Sequence, residues 1–349
     1  MKKIMTIVGT RPELIRLSEI IKLLDIHTEH TFVHTGQNFT PELHDQFFWD
    51  LHLRLPDYQF NTQWLSWLSF IGKMYLDIDE VLEIKKPDVI LILGDTNSAL
   101  AAYVAKKRHI PVFHMEAGNR CYNDWVPEEI NRKIIDSLST YLLPYTQRSR
   151  EHLMLEWYHP SKIIVIWNPI SEVLEKNMPF IGTREISENY VLVTLHRDEN
   201  ITIQENLIGI IKALENISLR YKVILSLHPK LKHMIEKFHI TLGKNIHAET
   251  AFSFHRFLWL EKYASCVLSD SGTVPEECCI FQTPCVLLRT STERPELLEN
   301  NSMILSGIQS DEILSSFEVA LHTSVWPIPS DYSDTHISEK ILKLLLRHI

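Results

Sequence analysis

Short apolar runs alternate with amphipathic stretches along nearly the whole chain. In the first half, the apolar runs predict strands at Lys3–Val8, Thr31–Thr35, Val89–Leu93, Pro111–Met115, Tyr141–Leu143 and Ile163–Ile166. Helical spacing between them predicts helices at Pro12–Leu24, Leu43–Leu51, Ser98–Lys107 and Glu128–Leu138. In the second half, strands are predicted at Tyr190–Leu195, Val223–Leu227, Cys266–Leu268, Val286–Leu288 and Met303–Leu305. Nearly continuous apolar strands that alternate with helices indicate parallel sheets covered on both faces, so the predicted fold is α/β with two Rossmann-like domains.

The change from one domain to the next is predicted between Asn168 and Asn189, where turn-forming pairs cluster. These pairs are Asn168-Pro169, Met178-Pro179 and Gly182-Thr183. We therefore predict an N-terminal Rossmann-like domain at 1–170 and a C-terminal one at 171–333. Residues 334–349 have helical spacing, and we expect them to pack back on the N-terminal domain as a C-terminal helix.

Charge and composition argue against several kinds of partner. The 349-residue chain has a formal net charge of −9 and no dense Lys/Arg stripe, so no nucleic-acid partner is expected. No apolar run is long enough to predict a membrane span. The apolar start of the chain suits a buried first strand better than a signal peptide, so a cytoplasmic protein is expected. Five cysteines without C-x-x-C spacing favour buried thiols over disulfides or a zinc site.

Candidate functional residues in the first half follow predicted strands, where ligands bind in open parallel sheets. In Gly9–Glu13 the glycine permits a tight turn and Arg11 can point at an anion, although an ordinary strand–helix turn could have the same sequence. Asp95 follows the strand Val89–Leu93, where it could equally cap the next helix. Glu116 ends another buried strand, which is an uncommon place for a carboxylate with only a structural role.

Two further charged residues lie at the start of the helix predicted at Glu128–Leu138. Glu128 could act on a substrate or merely complement the helix dipole. Arg132, four residues later, could bind an anion or form an ion pair with Glu128 on the helix surface. The residue pattern alone leaves both alternatives open.

The second half supplies cations and small residues at the ends of its predicted strands. His196 and Arg197 follow one strand, His228 follows the next, and Arg294 follows a later one. Ser269–Glu277 has the pattern of a strand end, a small-residue turn and a helix start, which offers backbone N–H groups to a phosphate. Carboxylates in the first half suit proton removal and return, whereas these cations and the helix N-terminus suit a diphosphate.

Taken together, these segments resemble the non-hydrolysing UDP-N-acetylglucosamine 2-epimerases. In family order, the matching segments are Gly9-Thr10-Arg11-Pro12-Glu13, His34-Thr35-Gly36-Gln37, Gly94-Asp95-Thr96, Glu116-Ala117-Gly118, Pro127-Glu128-Glu129-Ile130-Asn131-Arg132, His196-Arg197, Asp270-Ser271-Gly272, Glu276-Glu277 and Thr292-Glu293-Arg294-Pro295-Glu296. The ordered set covers almost the whole chain. The resemblance implies a fold of the GT-B type, in which two domains flank a central cleft that closes on a UDP-sugar. It also implies a homodimer, and a reaction without cofactor or metal.

The resemblance further implies a mechanism and roles for individual residues. The C2 proton is removed as UDP leaves, a 2-acetamido glycal stays bound, and UDP adds back with a proton delivered to the opposite face. The implied catalytic residues are Asp95, Glu116, Glu128 and His196. The implied substrate-binding residues are Arg11, Arg132, Arg197, His228, Phe257, Ser271, Gly272, Glu277 and Arg294. Glu277 would contact the ribose and Phe257 would lie near the uracil. The diphosphate would be held by Arg11, His196, Ser271 and Gly272, with Arg132 nearby.

The chain is more similar to the branch that includes epimerases of UDP-2-acetamido-2,6-dideoxy-L-hexoses, from the L-fucosamine and L-rhamnosamine pathways. The residues that carry this likeness are Gly118–Cys121 and Val126–Glu129. The expected substrate is therefore UDP-GlcNAc/UDP-ManNAc or a 6-deoxy L-sugar such as UDP-L-QuiNAc/UDP-L-RhaNAc, used for polysaccharide biosynthesis. Two alternatives stay open: a GT-B glycosyltransferase that uses a UDP-sugar, and a catalytically reduced UDP-sugar binder.

The chain also departs from the family pattern in the stretch Trp64–Phe70, which replaces a segment usually rich in small residues, and at four single positions, which are Asn38, Trp167, Asp198 and Pro275. Asn38 and Asp198 belong to the family's second, activating UDP-sugar site, so activation by that route is not expected here. Trp167 replaces a usual glycine, and Pro275 replaces a polar residue. None of the four changes removes a proposed acid–base carboxylate.

Overall fold

The computed structural model describes residues 1–37, 47–62, 66–123, 125–250, 252–323 and 325–347. The chain forms two compact units. Unit 1 comprises Met1–Glu175 and Ser330–Ile349, and unit 2 comprises Lys176–Pro329. Within the described ranges, no helix is both long and apolar enough to span a bilayer.

Unit 1 is built on a parallel sheet. Its strands are β1 (Lys3–Val8), β2 (Glu29–His34), β3 (Tyr58–Gln59), β4 (Val89–Leu93), β5 (Val112–Met115) and β6 (Tyr141–Leu143). The strand order is β3-β2-β1-β4-β5-β6, and every neighbouring pair is parallel. All five residues of β4 are buried, because helices cover both faces of the sheet.

The helices of unit 1 connect these strands. They are α1 (Arg11–His27), α2 (Trp67–Lys85), α3 (Ala101–Lys107), α4 (Pro127–Leu138), α5 (Gln147–Leu155) and α6 (Ile170–Ile181), the last of which continues into unit 2. Short 3₁₀ turns lie at Asn97–Leu100, Pro160–Lys162 and Ser330–Tyr332. In α1, Pro12 occupies the first turn and Glu13 completes a capping box, so the local sequence favours a helix that begins here.

Unit 2 repeats the same plan. Its strands are β7 (Tyr190–Thr194), β8 (Lys222–Ser226), β9 (Ile246–Glu249), β10 (Cys266–Ser269), β11 (Cys285–Leu287) and β12 (Met303–Leu305). Its helices are α7 (Asp198–Ile201), α8 (Gln204–Ile217), α9 (Pro229–Lys237), α10 (Phe254–Tyr263), α11 (Val274–Phe281), α12 (Pro295–Glu299) and α13 (Ser310–Leu321). The strand order β12-β11-β10-β7-β8-β9 is again fully parallel.

The last helix, α14 (Ile337–Arg347), belongs to unit 1 and packs against α1. Glu172 of α6 accepts the backbone N–H of Ser338 at 2.7 Å and also the Ser338 hydroxyl. A buried carboxylate therefore attaches the returning chain to unit 1.

In both units the strand order reverses beside the first strand, between β1 and β4 in unit 1 and between β7 and β10 in unit 2. Ligands of open α/β sheets bind outside the carboxyl ends of the strands at such a point. The turns after β1, β4, β7 and β10 are therefore the expected positions of a functional site.

The expected α/β fold is confirmed, but some predicted elements are wrong. Ile163–Ile166 forms only an isolated bridge, from Ile163 to Leu142; the run is apolar because Ile163 and Ile166 are buried. Met178-Pro179 is not a turn, since Pro179 lies in the last turn of α6, where a missing N–H removes a single helical hydrogen bond. The short strands β3 and β9 were not predicted. Part of the helix predicted at Leu43–Leu51 lies outside the described residues.

Candidate functional site

The turn between β1 and α1 depends on close contact with the loop after β4. A Cβ atom on Gly9 would lie 1.9 Å from Oγ of Ser98 and 2.4 Å from Oγ1 of Thr35. Those two hydroxyls are hydrogen-bonded to each other at 2.6 Å. Gly9 is therefore required because another segment approaches its backbone closely, and not only because the chain turns there.

Glu13 is a buried carboxylate in this turn to which the sequence assigned no role. It accepts the N–H groups of Gly9 at 2.6 Å and Thr10 at 2.9 Å, and the hydroxyl of Thr96 at 2.5 Å. Burial raises the pKa of Glu13 to about 7, with a smaller contribution from Asp95, while the three hydrogen bonds oppose the rise. The capping-box spacing, Thr10 followed three residues later by Glu, is the signal that could have identified it.

Arg11 is the first residue of α1. Its guanidinium lies 5.1 Å from the ring centroid of Phe47. Burial lowers the pKa of Arg11 from its ordinary value, because the charge is poorly solvated there. A poorly solvated cation at a helix N-terminus suits an anionic ligand.

Asp95 and Arg132 form an ion pair that joins the end of β4 to α4. The Asp95 side chain is 17% exposed and that of Arg132 only 2%. Asn131 supports the same turn by donating to the Asp95 carbonyl oxygen at 2.9 Å. Arg132 also pairs with Glu129 at 3.2 Å, rather than with Glu128 as a surface i,i+4 pair would require.

Glu116 is held in an unusual backbone conformation directly after β5. Its φ of 67° lies in the left-handed region, which non-glycine residues rarely adopt. The side chain is buried, and one carboxylate oxygen lies 3.5 Å from Nη1 of Arg16 in α1. Strained residues of this kind cluster at functional sites. The backbone of Glu116 therefore supports a functional role more strongly than its sequence position alone. Arg16 was not predicted, although it shares the buried face of α1 with Glu13 and Ile20.

The two neighbouring glutamates of α4 differ in their surroundings. Glu129 is fully buried, where it accepts the N–H of Cys121 at 3.1 Å and pairs with Arg132. Glu128, the second residue of α4, is half-buried. Glu129 therefore has a structural role, and Glu128 keeps a carboxylate accessible to a ligand.

The register of the unit 1 sheet brings the carboxylate-bearing loops together. Leu93 pairs with Met115, and the N–H of Gly94 donates to the Met115 carbonyl oxygen at 3.0 Å. Asp95 and Glu116 therefore leave adjacent strands at the same edge. The ion pair between Asp95 and Arg132 attaches α4, which also bears Glu128, to that edge.

In unit 2, Asp270 organises the equivalent edge. Its carboxylate accepts the N–H of His196 at 3.1 Å and of Arg197 at 3.0 Å, and it accepts the Asn200 amide at 3.2 Å. Burial by itself would raise the pKa of Asp270, but His196 and these backbone N–H groups outweigh burial and hold the pKa below its ordinary value. Asp270 thus fixes the turn after β7 to the end of β10, a role that the sequence did not reveal.

The same carboxylate orients the His196 ring. Nδ1 of His196 lies 3.1 Å from Oδ1 of Asp270, while the side chain is 43% exposed. This contact leaves Nε2 for a ligand. The His228 ring lies 6.4 Å away between centroids. Its Nδ1 accepts the N–H of Lys230 at 3.3 Å, so a neutral His228 carries its proton on Nε2 and can donate from there.

The small-residue turn after β10 leads into α11. The N–H of Ser271 donates to Oγ of Ser269 at 3.0 Å, and Oγ of Ser271 accepts the N–H of Thr273 at 3.2 Å. A Cβ atom on Gly272 would meet no heavy atom within 4 Å. Packing within the protein therefore does not require glycine at position 272. Close approach of a ligand to the backbone is one reason for a glycine there.

The remaining predicted cations of unit 2 are engaged with carboxylates. Arg197 is 16% exposed and lies 3.9 Å from both Glu199 and Glu293. Arg294 is buried and pairs through Nε with the buried Glu276. Arg197 is thus more accessible than Arg294, whose pairing gives it a structural role.

The carboxylates of Glu261 in α10 and Glu277 in α11 lie close together. Burial, and then the neighbouring Glu277, raises the pKa of Glu261 well above its ordinary value. Glu277, the predicted ribose contact, is itself buried. Phe257, the predicted uracil contact, lies one turn before Glu261 in α10, with its ring 6.4 Å from that of Phe252. The sequence analysis did not predict a role for Glu261, although it lies three residues after the buried Leu258 and so on the same face of α10.

The positions that depart from the family pattern are accommodated locally. Trp167 has φ 71°, in the region that favours glycine, and its ring lies 5.9 Å from Nζ of Lys340. Pro275 lies in the first turn of α11, where its missing N–H removes no helical hydrogen bond. Asp198 is exposed and pairs with Lys230. Asn38 lies outside the described residues.

Comparison with known protein families supports the expected likeness. Residues 23–346 match the family profile described as UDP-N-acetylglucosamine 2-epimerase. The UDP-N-acetylglucosamine 2-epimerase of Methanocaldococcus jannaschii is 36% identical, and the alignment covers 98% of each chain. The UDP-2,3-diacetamido-2,3-dideoxy-D-glucuronate 2-epimerase of Pseudomonas aeruginosa is 32% identical, with 99% of each chain covered.

Solved structures show the same likeness in three dimensions. The crystal structure of the M. jannaschii UDP-GlcNAc 2-epimerase in complex with UDP-GlcNAc and UDP has a TM-score of 0.94 and 34% identity, and the match covers 99% of each chain. The Neisseria meningitidis UDP-GlcNAc 2-epimerase bound to UDP-GlcNAc has a TM-score of 0.85 and 27% identity, covering 99% of this chain and all of the other. These matches confirm the GT-B type of α/β fold.

Proposed function

Because the chain belongs to the non-hydrolysing UDP-N-acetylglucosamine 2-epimerase family, we propose that it inverts C2 of a UDP-2-acetamido sugar by eliminating UDP and adding it back. The observation that carries this proposal is the shared edge of the unit 1 sheet. There the β4–β5 register and the ion pair between Asp95 and Arg132 gather the segments that bear Asp95, Glu116 and Glu128. Proton removal and return on opposite faces of one carbon favour more than one acid–base group.

The proposed chemistry couples proton removal to the departure of UDP. The C2 hydrogen is not α to a carbonyl, so its removal alone would leave an unstabilised carbanion. When the C2–H bond and the C1–O bond to the diphosphate break in one elimination, the electron pair forms the glycal double bond and the charge leaves on UDP. Re-addition of UDP with a proton on the opposite face completes the inversion. Asp95, Glu116 and Glu128 are proposed to carry the proton traffic.

The diphosphate is proposed to be held mainly by residues of unit 2. Nδ1 of His196 lies against Asp270, which leaves Nε2 for the ligand. The turn at Ser271 and Gly272 precedes the N-terminus of α11. Cations and backbone N–H groups stabilise the negative charge that develops on the leaving diphosphate. The other proposed ligand contacts are Arg11, Arg132, Arg197, His228, Phe257, Glu277 and Arg294. Among these, Arg132 and Arg294 are buried and already paired with carboxylates, which gives them the weakest support.

Incubation with UDP-sugars in deuterated water tests the reaction. Epimerisation should place deuterium at C2, detected by proton NMR, whereas a glycosyltransferase would leave that position untouched and need an acceptor. The amide variants Asp95→Asn, Glu116→Gln and Glu128→Gln should each lower turnover by roughly 100-fold or more. Glu151→Gln, at an exposed glutamate of α5, is the matched control. Normal turnover in all three variants would reject the assignment.

The identity of the sugar is a finer proposal. The expected candidates are UDP-GlcNAc/UDP-ManNAc and 6-deoxy L-sugars, and a relative that is named for a diacetamido glucuronate adds a third class. The same NMR assay with one nucleotide sugar of each class would rank them by rate of deuterium incorporation. The homodimer that the family resemblance implies stays a prediction.

A further inference from the structure

A buried charged cluster lies behind the ends of β4 and β5, and none of the proposed chemistry uses it. His114 of β5 and Asp136 of α4 are both fully buried. Nδ1 of His114 lies 2.8 Å from Oδ1 of Asp136, and Nε2 lies 2.9 Å from the carbonyl oxygen of Gly94. The imidazole thus connects α4 to the residue immediately before Asp95.

The same carboxylate also holds the loop that follows Glu116. Oδ2 of Asp136 accepts the N–H of Gly118 at 3.2 Å and Nη2 of Arg120 at 2.7 Å. Gly118 has φ 77°, and a Cβ atom there would lie 2.3 Å from the Ser149 carbonyl oxygen. One oxygen of Asp136 therefore contacts His114, which bonds Gly94, and the other oxygen holds the loop after Glu116.

The hydrogen-bond donors and acceptors of the cluster are paired with one another. The Gly94 carbonyl oxygen can only accept, so Nε2 of His114 donates to it, and Nδ1 faces the Asp136 carboxylate. Burial alone would raise the pKa of Asp136, but His114 and Arg120 outweigh burial and hold that pKa below its ordinary value. Arg120 also donates to Glu156 at 2.7 and 2.6 Å. Arg120 thus joins the carboxylates of Asp136 and Glu156 in one network.

We propose that His114 and Asp136 are positioning residues that hold the turns bearing Asp95 and Glu116 in one geometry for proton exchange. The inference rests on the proposed function, because only a reaction that uses both carboxylates requires both turns to be fixed together. Apolar side chains could fill the same volume, but they could not bond the Gly94 carbonyl oxygen and the Gly118 N–H. The left-handed backbone of Glu116 persists only when its surroundings hold it.

The test compares His114→Gln, Asp136→Asn and the double variant, all assayed below their melting temperatures. Each single variant should lower kcat by roughly 10- to 100-fold, because small displacements of reacting groups have effects of this size. KM should stay within about threefold, because the contacts to the bound nucleotide are retained. The double variant should lose little more kcat than either single variant, since the two residues act as one unit.

Glu172→Gln is the matched control, because Glu172 is a buried carboxylate of unit 1 that bonds Ser338 away from these turns. It should lower the melting temperature and leave kcat unchanged. A kcat for both single variants within about twofold of the unaltered enzyme would overturn the positioning role.

An enzyme that incorporates no deuterium with any nucleotide sugar would instead refute the proposed function. In that case, hydrogen exchange at the Gly118 N–H tests the positioning role of Asp136 without any measurement of activity. Asp136→Asn should speed this exchange by about tenfold or more if the bond to Gly118 holds the loop. Unchanged exchange would overturn the inference.

Discussion

Replacing Glu13 by Gln should remove a pH-dependent loss of stability from unit 1. The pKa of Glu13 rises from an ordinary 4.5 to about 7 in the folded chain, chiefly because the side chain is buried. The folded state therefore keeps a proton that the unfolded state releases, so stability falls as pH rises from 4.5 towards 7. The difference between the two pKa values corresponds to a loss of roughly 3 kcal/mol, complete above pH 7.

The glutamine variant keeps the geometry while losing the titration. Its amide oxygen can accept the N–H groups of Gly9 and Thr10, and its amide nitrogen can donate to the Thr96 hydroxyl oxygen. Near pH 4.5 the two proteins should be similarly stable. Near pH 8, Glu13→Gln should be more stable than the unaltered protein by roughly 3 kcal/mol.

Urea unfolding followed by tryptophan fluorescence, at pH values from 5 to 8, measures this difference directly. Because two compact units can unfold separately, hydrogen exchange of the β1–α1 segment should accompany it and identify the transition of unit 1. Glu80→Gln, at an exposed glutamate of α2, should show no comparable trend. A stability difference for Glu13→Gln that varies by less than about 0.5 kcal/mol over this range would refute the reasoning.

Two further substitutions test the β1–α1 turn and the proposed diphosphate contact. Gly9→Ala should destabilise the protein by about 1–3 kcal/mol or more in urea unfolding, since its Cβ would overlap Ser98 and Thr35. Gly72→Ala, in open space on α2, should instead stabilise by roughly 0.5–1 kcal/mol, and equal effects would contradict the packing argument. His196→Ala should weaken UDP binding by about 10- to 100-fold in calorimetry, the loss expected for a charge-assisted hydrogen bond. The exposed His233→Ala is its control, and an unchanged Kd for His196→Ala would remove the phosphate role.

Much of the candidate site could be located from the sequence because motifs at strand ends are local. Gly9–Glu13, Gly94–Thr96 and the segment at Glu116 all follow apolar runs, and a parallel sheet places such segments at one edge. The residues that organise the edges of the two sheets were harder to find. Arg16 and Asp270 make their contacts with residues 100 and 74 positions away, and local spacing contains no information about such partners.

The sequence by itself determined the alternation of strands and helices, the two-unit α/β class and the order of the chemical motifs. These follow from apolar periodicity and turn residues, which act over a few neighbouring positions. Tertiary structure decided whether β3 and β9 form, because such short strands are stabilised by a neighbouring strand more than by their own residues. It also decided that Arg132 pairs with Asp95, and that Glu116 adopts a left-handed backbone. Those outcomes depend on burial and long-range hydrogen bonds, whose free energies arise only when distant segments exclude water together.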